Sequence, residues 1–237
     1  MSFPLRQPSV EADVHSDFVI APHHPDRLKR PPVDPVRAAD ERMRQAFLWN
    51  VFRTFELLTP AFWLRRLHAR MLRDANGAAP QIVRVHLWER LPAPPAQRLD
   101  GALPDALVDV VIETEHNVLT LMVADEADPL GTADERAARI VDAGSWFAGR
   151  RDHYFGVLDN ATAPSVGALL RNRYERSSFS MRLRSACPSS AQLKGVGVLE
   201  PQDLVAIMQD CAESDALPEV ERTLARHTFA WLARVVP

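Results

Sequence analysis

Two apolar runs joined by a short polar turn occupy the middle of the sequence, at residues 106 to 125, ALVDVVIETEHNVLTLMVAD. Residues 108 to 114 and 118 to 124 are rich in β-branched and aliphatic side chains, which favour strands. The polar residues 115 to 117 interrupt the apolar run where a hairpin turn would lie. Because both runs are almost continuously apolar, both faces of each strand are expected to be covered, and the hairpin is predicted to lie at the centre of a sheet.

Two helices are predicted before the hairpin, and an alternating strand follows them. Asp34-Pro35 has the pattern of an N-cap followed by a proline in the first turn, and apolar residues continue at helical spacing to about Leu58. A second helix begins after Pro60 and ends at Asn76-Gly77. Residues 81 to 89 alternate between apolar and polar side chains, which predicts a half-buried strand.

A helix and a further strand are predicted after the hairpin. Thr132 and Glu135 form a capping box, so the helix is expected to continue to about residue 150. The small pair Ala143-Gly144 on its apolar face would permit close approach to a sheet. Residues 153 to 158 then form another strand. This order of elements predicts an α/β fold with a mixed sheet, a central antiparallel hairpin and flanking helices.

The chain is predicted to have three regions. Residues 1 to 33 contain six prolines and no sustained period, which is typical of an extended or partly disordered arm. Residues 34 to 160 form the α/β core, and residues 161 to 237 form a helical extension packed on it. Within this extension we expect helices over residues 165 to 176, 201 to 212 and 218 to 235, and a loop at Gly195-Val196-Gly197.

Composition limits the classes of function. The net charge of −3 and the pI near 6.2 give no overall nucleic-acid or membrane signal, so any basic surface must be local. No apolar run approaches the roughly 20 residues of a membrane helix, and the N-terminus lacks a signal-peptide core. The two cysteines form no CxxC pair. We therefore expect a cytoplasmic protein without a membrane partner.

One carboxylate, Asp109, interrupts the first strand of the hairpin, where it must be paired, solvated or bound to a cation. The order of elements, with this aspartate opening the middle hairpin, resembles the restriction-endonuclease-like, or PD-(D/E)XK, nuclease superfamily over roughly residues 36 to 160. The resemblance implies that a Glu-x-Lys follows on the partner strand and that an earlier helix often adds a glutamate. In that family the carboxylates hold Mg²⁺, and the lysine orients water and stabilises charge.

This sequence departs from the family pattern at the partner strand. The Glu-x-Lys would fall at Met122-Val123-Ala124, where neither a carboxylate nor an ammonium is present, and no Glu-x-Lys occurs between residues 113 and 135. A thioether is a poor ligand for Mg²⁺. We therefore predict that Asp109 is vestigial and that it accepts hydrogen bonds from nearby backbone or an arginine, with no cofactor required.

The alternative is an active nuclease whose catalytic residues have migrated, and it would use Mg²⁺. Its candidate ligands are Asp109 together with Glu56, Glu113 and Asp125, and Arg136 or Arg139 would replace the lysine.

A run of arginines after residue 170 is the local basic feature of the sequence. Arginines bind phosphates with two parallel hydrogen bonds, and an aromatic residue among them can stack on a base. The candidate nucleic-acid contacts are Arg171, Arg173, Tyr174, Arg176, Arg182 and Arg184. The alternative interpretation is a solvated helix face that pairs with the acidic residues of 200 to 222.

Three functions remain open on the sequence alone. The first is a nuclease-fold protein with a degraded metal site that binds nucleic acid or acts as a scaffold without catalysis. The second is the Mg²⁺-dependent DNA nuclease with migrated residues. The third is a protein-interaction module, without a nucleic-acid role, that uses its proline-rich arm and C-terminal helices.

Overall fold

The structure is a computed structural model that describes residue 19 and residues 35–72, 82–95, 105–124, 133–158 and 192–236. These residues form an α/β arrangement in which a mixed sheet is flanked by helices, as predicted. In chain order the elements are α1 (Pro35–Leu57), α2 (Pro60–Leu72), β1 (Val83–Leu91), β2 (Ala106–Thr114), β3 (Asn117–Val123), α3 (Ala133–Ala148), β4 (Asp152–Leu158), β5 (Leu193–Leu199), α4 (Pro201–Glu213) and α5 (Glu219–Val235).

The hairpin of β2 and β3 lies inside the sheet, which confirms the prediction made from its apolar strands. The strand order is β1-β2-β3-β4-β5. The pairs β1–β2 and β2–β3 are antiparallel, and the pairs β3–β4 and β4–β5 are parallel. Val110, Val111 and Ile112 are fully buried because neither face of β2 meets solvent at this point. The Thr114 hydroxyl stabilises the turn by accepting a hydrogen bond from the Asn117 N–H at 2.9 Å.

Helix α3 connects the parallel strands β3 and β4 and covers one face of the sheet. Its apolar side packs in a buried cluster with residues of the sheet, among them Met122 and Phe155. Gly144 lies at a close contact between the helix and the sheet, because a Cβ built there would lie 2.7 Å from His153 Nε2 and 3.0 Å from Thr120 Cγ2. The predicted close approach at the small residues of this helix is therefore confirmed.

The predicted loop at residues 195 to 197 is wrong, because these residues belong to β5. This strand pairs parallel with β4, and its register places Gly156 opposite Gly197. The two glycines lie on the face opposite α3, where helix α2 crosses the sheet. A Cβ at Gly197 would lie 2.0 Å from the carbonyl oxygen of Met71. The glycines therefore permit a close helix–sheet contact and do not mark a turn.

By packing, the chain divides into two compact units. One comprises Leu64–Pro201 and contains the five described strands and α3. The other comprises Met1–Trp63 and Gln202–Pro237. In this second unit the Phe55 and Trp63 rings stack at 4.6 Å, and a buried hydrogen bond of 2.8 Å joins the hydroxyls of Thr54 and Thr228.

Helices α4 and α5 confirm the two helices predicted near the C-terminus. The division expected near residue 160 and the helix expected over residues 165 to 176 lie outside the described residues. Of the predicted arm, only Val19 is described, and its N–H donates to Asn50 Oδ1 at 2.8 Å. None of the helices in the described ranges combines the length and the apolar character needed to cross a membrane.

Candidate functional site

The Asp109 carboxylate lies at the point where the recorded pairing of β2 with β3 ends. The last residue pair of that ladder is Val110 with Leu121, and Asp109 is the next residue on β2. Its Oδ2 atom accepts a hydrogen bond from the backbone N–H of Val123 at 2.8 Å. The side chain therefore satisfies a backbone donor of β3 beyond the end of the ladder. Because Asp109 is 7% exposed, this bond is made with little competition from water.

The same oxygen is also paired with Arg136, which extends from the beginning of α3. Arg136 Nη2 donates to Asp109 Oδ2 at 2.6 Å, and Arg136 Nη1 donates to the carbonyl oxygen of Val123 at 3.3 Å. Hydrogen bonds between charged groups are shorter and stronger than neutral ones. The pairing of Asp109 with backbone and an arginine is therefore confirmed, and this arginine connects α3 to both strands of the hairpin.

The residues described around Asp109 do not fit a Mg²⁺ site. Its Oδ2 atom already accepts two hydrogen bonds, one of them from a guanidinium whose positive charge repels a cation. Met122 and Ala124, where the resemblance to the nuclease superfamily would place a glutamate and a lysine, are both buried and supply neither oxygen nor charge. Among the described residues, no three His, Cys, Asp or Glu side chains lie close enough together to hold a metal ion.

The other predicted ligands are not brought to Asp109 in the described structure. Glu113 lies on the same strand, four residues further, which is about 13 Å at the usual rise of a strand. Glu56 lies on α1 in the other compact unit, where its Oε2 pairs with Arg53 Nη1 at 2.6 Å. Asp125 lies outside the described residues. The proposed migration of ligands to Asp109 therefore has no support from the described carboxylates.

Glu113 belongs to a separate ion-paired group that sequence reasoning did not identify. Its Oε1 atom lies 2.8 Å from His86 Nε2, and its Oε2 atom lies 2.9 Å from Arg151 Nη1. His86 comes from β1, whose register on β2 depends on a long connection. The sequence shows the polar face of β1, but it does not show which residue of β2 that face meets.

Arg151 in this group closes the C-terminal end of α3. Its Nε donates to the Ala148 carbonyl at 3.2 Å and its Nη2 donates to the Phe147 carbonyl at 3.3 Å. These carbonyls are among those that a helix leaves unpaired at its end. The guanidinium also lies 5.6 Å from the centre of the Phe147 ring. The Glu113 group therefore stabilises a helix end and is not arranged as a metal site.

A second unpredicted polar group is buried between the sheet and α3. His153 is fully buried, and its Nε2 and Nδ1 atoms each lie 2.9 Å from a hydroxyl, those of Thr120 and Ser145 respectively. Burial lowers the pKa of His153 to about 3 because the imidazolium would lose its hydration. The histidine is therefore neutral at ordinary pH, with both ring nitrogens hydrogen-bonded. The sequence signal that could have revealed this group is the presence of Thr120, Ser145 and His153 at positions that are otherwise apolar.

The arginine run chosen from the sequence lies outside the described residues, so Arg171, Arg173, Tyr174, Arg176, Arg182 and Arg184 stay a prediction. Arg139, the other candidate for the lysine's role, lies on the exposed side of α3. The arginine that contacts Asp109 is Arg136 and not Arg139.

Comparisons with family models, with curated proteins and with solved structures find no significant match to this chain. The interpretation of the site therefore depends on its own geometry.

Replacing Asp109 with Asn is expected to lower the free energy of unfolding by about 2 kcal/mol, because the substitution weakens a charge-assisted bond at a buried position. In a double-mutant cycle with Arg136→Gln, the two changes should couple by about 1 kcal/mol or more, since they share one interaction. Urea denaturation measures both quantities. Glu135→Gln, at an exposed carboxylate beside Arg136, is the matched control and should change stability by less than about 0.5 kcal/mol. An Asp109→Asn variant as stable as the wild type would contradict the structural role.

Proposed function

We propose that this chain is a nuclease-fold protein in which an ion pair has replaced the metal site, and that it binds nucleic acid without cleaving it. The observation that carries the proposal is the contact of Arg136 Nη2 with Asp109 Oδ2 at 2.6 Å. In the family that the sequence resembles, the corresponding aspartate binds Mg²⁺. Here the carboxylate is neutralised from within the fold.

The loss of catalysis follows from the chemistry of the family's mechanism. Mg²⁺ keeps most of its waters and usually requires more than one anionic oxygen from the protein, whereas Asp109 offers one carboxylate that is already paired. Ala124 cannot supply the positive charge that the family's lysine provides. Loss of one such electrostatic contact typically raises the barrier by about 2.7 to 4 kcal/mol. Together these changes remove both the metal and the charge that would stabilise the transition state.

Binding to nucleic acid is supported by cationic side chains that the fold does not use. In the unit that contains the sheet, several exposed arginines make no hydrogen bond or ion pair with any described residue: Arg65, Arg84, Arg90, Arg139 and Arg150. Guanidinium groups that are free of internal partners can bind phosphates without first breaking an ion pair. These arginines come from α2, β1 and α3 and its C-terminal end, so they are separate candidate contacts. The arginine run predicted from the sequence would add to them.

The proposal is tested by measuring cleavage and binding in the same protein preparation. The full chain should leave plasmid DNA intact in the presence of Mg²⁺ or Mn²⁺. Calorimetry should show the same Mn²⁺ binding for the wild type and for Asp109→Asn, because Asp109 is not a metal ligand. Labelled oligonucleotides should bind at low salt, and the affinity should fall steeply as salt rises because phosphate contacts release counterions.

Two results would contradict this function in different ways. Metal-dependent cleavage that is abolished by Asp109→Asn in a folded protein would establish an active nuclease with migrated ligands. Absence of oligonucleotide binding at low salt would favour the protein-interaction module. In either case the ion pair of Asp109 could still be tested separately by its effect on stability.

A further inference from the structure

The outer face of α3 carries a half-exposed tryptophan between two exposed arginines. Trp146 is 50% exposed, which is unusual for a large apolar side chain in the described structure. Arg139 precedes it by seven residues, two helical turns, so these two residues lie on one side of the helix. Arg150 comes two residues after the last helical residue, Ala148, and is exposed. Arg139 and Trp146 are about 10 Å apart along the axis at the usual helical rise.

The four arginines between residues 136 and 151, two on α3 and two just after it, fall into two groups with different partners. Arg136 and Arg151 bind Asp109 and Glu113 and are therefore occupied within the fold. Arg139 and Arg150 are exposed and make no hydrogen bond or ion pair within the described ranges. Arg139 thus shares the side of the helix that carries Trp146, Arg150 follows close behind the helix end, and neither is used in an internal ion pair.

The helix ends at a left-handed glycine three residues after Trp146. Gly149 has a φ of +65°, the left-handed conformation that commonly ends a helix, and its N–H donates to the Trp146 carbonyl at 3.1 Å. Among the described residues, a Cβ built at Gly149 would meet no atom within 4 Å, so the helix end is open at this glycine.

We propose that this face of α3 binds a single-stranded nucleic acid, with one base stacked on the Trp146 indole and flanking phosphates bound by Arg139 and Arg150. The inference rests on the proposed function and assigns it a surface. An exposed aromatic ring between two free guanidinium groups is the combination that binds unpaired bases together with their backbone. In a duplex the base faces are already stacked on one another, so its phosphates could bind the arginines but its bases could not stack on the indole.

The charge pattern limits where the strand lies. Glu135 is exposed one turn before Arg139 on the same side of the helix and would repel phosphates. The bound nucleic acid is therefore expected to follow the C-terminal part of α3, from Arg139 to Arg150, and to avoid the beginning of the helix.

The experiment measures binding of a labelled single-stranded oligo-dT and of a matched duplex by fluorescence anisotropy, with the full chain at several salt concentrations. Trp146→Ala should weaken binding of the single strand by roughly tenfold or more, whereas Trp146→Phe should retain most of the affinity. Arg139→Gln with Arg150→Gln should reduce the slope of log affinity against log salt by about 1.4, since each phosphate contact on a single strand contributes roughly 0.7.

Matched controls remove the same chemistry elsewhere. Arg234→Gln removes an exposed arginine on α5, and Val220→Ala shortens an exposed apolar side chain on the same helix. Neither should change affinity or salt slope. All the replaced side chains are exposed, so urea unfolding midpoints of the variants should match that of the wild type.

The possible failures are distinguishable. Wild-type protein that binds no oligonucleotide at low salt overturns both the function and this surface. Wild-type binding that survives Trp146→Ala and the double arginine variant overturns the surface alone. A duplex that depends on Trp146 as strongly as the single strand overturns base stacking. Self-association that disappears with Trp146→Ala, measured by sedimentation without nucleic acid, would assign the face to a second copy of the chain and overturn the proposal.

Discussion

Replacing Gly197 with Ala is expected to destabilise the protein by about 3 kcal/mol or more, the largest effect we expect from adding a single methyl group. The new Cβ would lie 2.0 Å from the Met71 carbonyl oxygen and 2.8 Å from its carbonyl carbon. These are backbone atoms of α2, so relief requires a shift of the whole helix and not a change of rotamer. Overpacking a well-packed interior typically costs 1 to 3 kcal/mol when side chains can adjust. Urea denaturation of the purified variant measures the loss.

Gly195→Ala is the matched control on the same strand and the same face. Its Cβ would meet side-chain atoms only, with Leu72 Cδ2 at 3.1 Å and Tyr154 Cδ1 at 3.3 Å. These ends can move by a few tenths of an ångström, and alanine reduces the entropy of the unfolded chain relative to glycine. The control should therefore change stability by less than about 1 kcal/mol. Equal effects at both positions would contradict a close approach of α2 at Gly197.

The glycines of β5 also show where sequence reasoning reached its limit. Gly195-Val196-Gly197 was interpreted as a loop because glycine weakens strands and marks turns. The same residue is required where another element comes too close for a Cβ, and only the tertiary structure distinguishes these two causes. The hairpin was easier to predict, because the apolar content of β2 and β3 reports burial on both faces directly.

The candidate site was predictable to the extent that it depends on local pattern. Asp109 was recognisable as a carboxylate in an apolar strand, which must find a partner, and Arg136 lay on the next helix within reach. The partners of Glu113 were not recognisable, since His86 reaches it through the register of β1 on β2. Registers set by long connections depend on the whole fold, so pairs of this kind require a structure.

The buried His153 is expected to make the stability of the fold depend on pH, and variants are needed to isolate its contribution. Many carboxylates also contribute to acid unfolding, so the pH dependence of the wild type alone does not isolate one residue. His153→Gln removes the buried imidazole and retains a polar side chain. His116→Gln removes an exposed histidine from the turn between β2 and β3 and is the matched control.

Acidification is expected to cost the wild type about 2 kcal/mol more than His153→Gln between about pH 6.5 and pH 4.5. The pKa of His153 is lowered to about 3 in the folded protein, against 6.5 for the unfolded chain, because burial disfavours the imidazolium. Between these values the unfolded state binds a proton that the folded state does not. The stabilisation is therefore complete above pH 6.5 and decreases by about 1.4 kcal/mol per unit as the pH falls toward 3.

Urea denaturation across this range measures the slope for each variant. NMR of the wild-type imidazole should show no protonation of His153 above about pH 4, and this measurement does not depend on whether the variant folds. Equal slopes for wild type and His153→Gln, or an imidazole that titrates near 6.5, would show that the group is open to water.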